Sequence, residues 1–203
     1  MKQLANIISI VLYPMLMPTY AMALLAWAVY NYNSLLMGRY IAMLIGGTMV
    51  FTLIIPFSII LLMIRQGILK DAYIADRRQR LLPYLYSIVS DIAWCFFLWH
   101  IMKMPTIVVA IAVISVVILI IITVINQWWK ISAHLGCMGW LIGSVIAYCL
   151  HTANNPIGLL LCLFAAAFIL MWARLYLNAH TPAQAMAGFL LGFCLSFPLG
   201  LII

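Results

Sequence analysis

The stretch PTIVVAIAVISVVILIIITVINQ, residues 105–127, carries no charged side chain. It exceeds the about 20 apolar residues that a helix needs to cross the hydrocarbon core of a bilayer. On one side, Lys103-Met104-Pro105 is a minimal turn from a second apolar run at 83–102. On the other, Trp128 and Trp129 read as an interfacial aromatic belt. Continuing outward, spans are expected at 4–30, 40–64, 83–102, 105–127, 134–151, 156–177 and 183–203. The first has Lys2 ahead of an apolar run and an Ala21-Met22-Ala23 that resembles a cleavage site. Its apolar run goes on to Tyr30, so it is read as a retained span bent at Pro14 and Pro18. Seven spans follow; a re-entrant pair over 83–127 would give six.

Composition agrees. Of 203 residues, 68% are apolar or aromatic and 6% are charged, and the mean hydropathy is +1.22. A soluble domain has about 45–50% apolar and about 25% charged residues. This chain has too little charge to coat a water-facing surface, and the same figures exclude a disordered chain or a disulfide scaffold. The expected fold class is all-α, a polytopic transmembrane helical bundle in one domain over residues 1–203. Gly139/Gly143 and Gly188/Gly192 are spaced for close helix packing. The five cysteines stand singly in apolar runs and read as small buried hydrophobes. Ten Lys and Arg face three acids, all Asp. A nucleic-acid binder would spread such charge over a long soluble face, and none exists, so the acidic partner is expected to be a lipid headgroup or a phosphate.

Seven spans put the N-terminus and the loops after spans two, four and six on one side. Those loops are Arg65–Leu82, with Lys70, Asp71, Asp76, Arg77, Arg78 and Arg80; Gln127–His134, with Lys130 and Ser132; and Arg174–Gln184, with His180. Eight of the ten basic residues thereby meet at one face. In the third loop Thr181-Pro182-Ala183-Gln184 reads as a capping box with proline at the first helical position. His180 would then sit at the positive end of the last helix, which attracts anions and disfavours imidazolium. His134 stands at another helix start. Two histidines among Arg and Lys suit phosphoryl transfer: one attacks phosphorus, one protonates the leaving oxygen, and the cations stabilise the oxyanions. No paired carboxylates or Cys/His set suggests a metal, and no cofactor is expected. His100 and His151, on the opposite side, read as interfacial polar groups.

The third loop resembles the last signature of the type 2 phosphatidic acid phosphatase family, S-R-x(5)-H-x(3)-D. Arg174 and His180 match, Ala173 replaces Ser, and Gln184 replaces Asp. The middle signature, P-S-G-H, is similar to Ile131-Ser132-Ala133-His134, where Ser132 and His134 match. The first, K-x(6)-R-P, finds Lys70 and Arg77 at its spacing, with Arg78 in place of Pro. The run Asp76–Pro83 resembles a divergent bacterial substitute for it. The resemblance covers about residues 70–190. It implies His180 as nucleophile and phosphohistidine, His134 as general acid, and Arg174 holding phosphate with Lys70, Arg77, Arg78 or Arg80. Lys130 and Ser132 join this set as neighbouring donors. Because an amide cannot support a histidinium as a carboxylate does, Asp76 or Asp91 is a possible histidine-orienting acid; Asp91 equally suits a structural pairing with Arg174 or Lys130.

The expected function is a metal-independent membrane lipid phosphatase, acting on a polyprenyl diphosphate, a phosphatidate-like lipid or a lipid A phosphate. The alternative is a weakened or inactive relative that binds or moves a phosphorylated lipid, or serves as a subunit of an envelope complex. A bacterial inner membrane is the expected location. Counting all basic residues places the site in the cytoplasm. Omitting Arg77, Arg78, Arg80, Lys130 and Arg174 leaves three against two, and the resemblance implies an outward site, so sidedness stays open.

Overall fold

The computed structural model describes residues 1–32, 38–71, 74 and 76–202, with the side chains of 28–32 left aside. Residues 72, 73 and 75 of the first reactive loop and Ile203 of the last span therefore lie outside the described residues. The described chain is helical and contains no strand. Ten α-helices follow in order: α1 (Lys2–Val11), α2 (Met17–Tyr32), α3 (Gly38–Met49), α4 (Ile55–Arg65), α5 (Leu81–Phe96), α6 (Thr106–Ile125), α7 (Ala133–His151), α8 (Ile157–Tyr176), α9 (Pro182–Ser196) and α10 (Leu199–Ile202). They make seven segments long and apolar enough to cross a membrane, and the chain is an integral membrane protein.

The six-span alternative is not what the chain adopts. Arg77–Ile101 and Thr106–Ile125 are separate spans of 25 and 20 residues. At 1.5 Å per residue the shorter is about 30 Å long, the thickness of the hydrocarbon core. Between them Lys103 takes a left-handed conformation (φ 51°), and the Met104 N–H donates to the Leu98 carbonyl at 3.0 Å. These bonds close the end of the Phe97–Ile101 π-turn and reverse the chain within a few residues.

Two departures from regular helix shape the region around the site. Span one breaks before Pro14, as expected there, and a 3-10 turn at Pro14–Leu16 leads into α2. The Tyr13 N–H donates to Ile10, and Pro14 has no N–H, so the Ser9 carbonyl is released from the helix ladder. In span two, a π-turn at Val50–Ile54 precedes Pro56, and Ile55 N–H reaches back to the Val50 carbonyl. The next donor in that register would be Pro56, which has none. The Phe51 carbonyl accepts from the Ser90 hydroxyl of α5 instead. Trp94 Nε1 donates to Thr48 Oγ1 at 3.0 Å, a second polar tie between the same spans.

Helix α7 is the most enclosed element, and α9 packs along it. A Cβ on Gly188 or Gly192 would overlap the backbone carbonyls of Ser132 and Gly136. One on Gly143 would lie 2.9 Å from the Phe193 carbonyl. Each glycine pair thus faces the backbone of the other helix and brings the two backbones together, which is how helices gain packing energy where lipid removes the hydrophobic drive. The Ser132 N–H donates to the Gln184 carbonyl at 3.2 Å, so the loop before α7 and the first turn of α9 are joined. This joint brings the loops that carry Lys130 and His180 together.

Candidate functional site

A cavity of about 670 Å³ lies between these spans. Arg80, His134, Arg174 and His180, from four different segments, all line it. Arg80, Arg174 and His180 are each 7% exposed and so are buried from bulk water. The rest of the lining is chiefly apolar and includes Met15, Leu53, Ile118, Ile122 and Trp140. Ile10, Ile54 and Phe57 also line it while being exposed, which makes its apolar side continuous with the membrane-facing surface.

Local structure fixes each group. Helix α8 ends in a Schellman turn: Ala179 N–H donates to the Arg174 carbonyl at 3.1 Å, and Asn178 N–H to the Leu175 carbonyl at 2.9 Å. Asn178 occupies the left-handed position (φ 51°), a conformation Asn tolerates better than most residues. Four residues thus carry the chain from the end of α8 to His180. Thr181 then caps α9 in the expected box, with Gln184 Oε1 accepting from Thr181 N–H at 3.1 Å and Thr181 Oγ1 from Gln184 N–H at 3.3 Å. Arg80 closes a 3-10 turn, Arg77–Arg80, and its Nε donates to the Ile74 carbonyl at 2.9 Å.

The histidines are held by main-chain carbonyls. His180 Nδ1 lies 3.1 Å from the Lys130 carbonyl. A carbonyl only accepts, so Nδ1 carries the proton and Nε2 keeps its lone pair. Burial, then the positive charges of Arg174 and Arg80, hold this imidazole down to about 4, against 6.5 in water. His180 is therefore a neutral base with one committed N–H. His134 Nε2 lies 3.3 Å from the Ser9 carbonyl, the group released by the break before Pro14, and its ring meets Tyr13 edge-on at 5.5 Å. Burial and the charges of Arg80 and Arg174 also lower the Lys130 ammonium.

Other residues singled out in the sequence stand elsewhere. Arg77 Nη1 donates to the carbonyls of Asn126 and Gln127, while Asn126 Nδ2 donates back to the Arg77 carbonyl at 2.9 Å. This residue locks two loops together. Lys70 and Arg78 are exposed and do not line the cavity. Lys130 reaches the site through its charge and its carbonyl, although its side chain is not part of the lining. Ser132 caps α7, its hydroxyl accepting from Leu135 N–H at 3.4 Å, and it is fully buried.

The histidine-orienting position also differs from expectation. Asp76 is exposed and caps the Arg77–Arg80 turn through Arg78 N–H at 3.0 Å. Asp91 lies deep in the cavity and bonds to neither histidine, while Gln184 is committed to its capping box. The carbonyl of Lys130 holds Nδ1 in their place. Sequence reasoning missed Ser9, Tyr13 and Tyr84 as lining residues. The spacing of Arg80, Tyr84, Ser87 and Asp91, all on one helical stripe, was the available signal for Tyr84. Among the described residues no three His, Cys, Asp or Glu converge as a metal-binding group.

The sequence matches no family model, and no curated protein and no solved structure matches it.

Proposed function

We propose that the protein is a lipid phosphatase of the type 2 phosphatidic acid phosphatase kind, working in a bacterial cytoplasmic membrane on a phosphomonoester or diphosphate. The observation that carries this reading is the meeting of two buried arginines and two histidines in one cavity whose remaining walls are apolar. Two guanidiniums suit a phosphate dianion. The apolar walls suit a lipid chain below it.

In the first half-reaction His180 Nε2 forms a bond to phosphorus as the bond from phosphorus to the lipid oxygen breaks. His134, which takes up a proton together with the bound phosphate, gives that oxygen its proton, and Arg80 and Arg174 hold the equatorial oxygens. In the second, water attacks the phosphohistidine, the P–N bond breaks and His134 takes the proton from water. Throughout, the Nδ1–H stays on the Lys130 carbonyl and steadies the charge on the ring. Phosphate release by lipid-reconstituted protein over a panel of lipid phosphates, lost in His180→Ala, is the test.

One observation favours the second reading, a protein that binds or moves a phosphorylated lipid without hydrolysis. A neutral carbonyl at Nδ1 supports an imidazolium less than a carboxylate does. For such a protein His180→Ala would find no turnover to remove, and lipid phosphate would still bind.

A further inference from the structure

Arg80, Tyr84, Ser87 and Asp91 all line the cavity at intervals of four, three and four residues, so they form one stripe along α5. Eleven residues at 1.5 Å place Asp91 about 16 Å along the axis from Arg80. That is about half the hydrocarbon thickness. The cationic groups are therefore at one end of the cavity, and the one carboxyl among its described lining residues, Asp91, is deep within the span.

The polar groups near that depth are acceptors whose donors are already used. The Ser87 hydroxyl donates to the Pro83 carbonyl at 3.0 Å, and the Ser115 hydroxyl to the Ala112 carbonyl at 2.6 Å. Trp140 Nε1 donates to the Ile111 carbonyl at 3.0 Å. Among the described residues nothing hydrogen-bonds to the Asp91 carboxyl, and no Lys or Arg pairs with it. Ile118, Leu119, Ile122 and Cys137 are further lining residues of the same cavity. A carboxyl in such surroundings is costly unless something donates to it, and an ionisable group inside a span marks a ligand path more often than packing.

Resting on the lipid-phosphate reading above, we propose that Asp91, with the oxygens of Ser87 and Ser115, is a second recognition subsite. It takes a hydrogen-bond-donating group, a hydroxyl or an amine, carried on the lipid chain far from the phosphate. The substrate class is then a lipid phosphate with a polar group inside its hydrophobic tail, and a plain hydrocarbon chain is discriminated against because it strands the carboxyl.

The test compares dodecyl phosphate with its terminal-hydroxyl counterpart. Affinities are measured on the His180→Ala protein, so that turnover plays no part. A hydrogen bond between neutral groups is worth about 0.5–1.5 kcal/mol, so the hydroxylated lipid should bind about threefold to tenfold more tightly. Asp91→Leu should abolish or invert that preference. Asp91→Asn, which keeps the shape and an acceptor, should retain part of it and serves if the leucine variant does not fold. Equal affinities for the two lipids, or one ratio unchanged across all three proteins, would overturn the subsite and leave water as the partner of Asp91. Absence of phosphate release by the wild type would defeat the phosphatase reading alone, since the affinity ratio is read independently.

Discussion

The most specific electrostatic expectation concerns His180. Burial, then the positive charges of Arg174 and Arg80, hold its imidazole down to about 4, against 6.5 for an ordinary histidine. That lowering corresponds to about 3 kcal/mol. At pH 5.5 an ordinary imidazole is about 90% protonated, and His180 should be about 3% protonated. Because the folded value lies below the unfolded one, the unfolded chain binds more protons between these limits. The contribution of the neutral ring is complete above about 6.5 and is lost as pH falls from 6.5 towards 4. The perturbation is a titration of ring-labelled protein in lipid nanodiscs, with the resonance assigned by its disappearance in His180→Gln. Adding inorganic phosphate should raise the midpoint, because an anion between the arginines favours imidazolium; by reciprocity protonation of the ring should tighten the binding of phosphate. A midpoint near 6.5, unmoved by phosphate, would refute the burial of His180 within the field of the two guanidiniums.

Further variants separate positioning from chemistry. Gln184→Asp should leave turnover within about twofold of the wild type, because the Lys130 carbonyl already occupies Nδ1; a large rise in initial rate would show that the carboxylate reaches the ring. Gln184→Ala should lower thermal stability by about 1 kcal/mol through loss of the capping box, read by unfolding in detergent. Arg174→Gln should reduce kcat by about 100-fold or more while the protein stays folded, as expected when a charge stabiliser of the transition state is removed. Gly192→Leu should destabilise the α7–α9 packing by about 1–3 kcal/mol or prevent folding, since its Cβ alone already meets the backbone of Gly136 and Trp140.

Span positions were legible because a bilayer imposes length and apolarity on any helix that crosses it. The glycine pairs were legible for a similar reason, since close backbone approach leaves only the smallest residue. Counting spans also brought His134, Arg174, His180 and Arg80 to one face, and the structure places all four on one cavity. What the sequence hid was the work of main-chain groups. No residue type announces that the Ser9 carbonyl is released by the break before Pro14, or that the Lys130 carbonyl lies where a histidine must be held. The basic loop misled in another way. Charge and spacing make Lys70, Arg77, Arg78 and Arg80 equivalent, yet one locks a loop, one lines the cavity and two face outward. Only the tight turn Arg77–Arg80, capped by Asp76, distinguishes them.

The central claim is that His180 attacks phosphorus on a lipid. Its most direct test is phosphate release from a panel of lipid phosphates by the purified, reconstituted protein, beside His180→Ala and with an acid-labile, base-stable phosphohistidine sought in rapidly quenched samples. Release that disappears in His180→Ala, together with a phosphohistidine mapped to His180, is the expected result. Equal release by His180→Ala, or none from any lipid by a well-folded wild type, would contradict it.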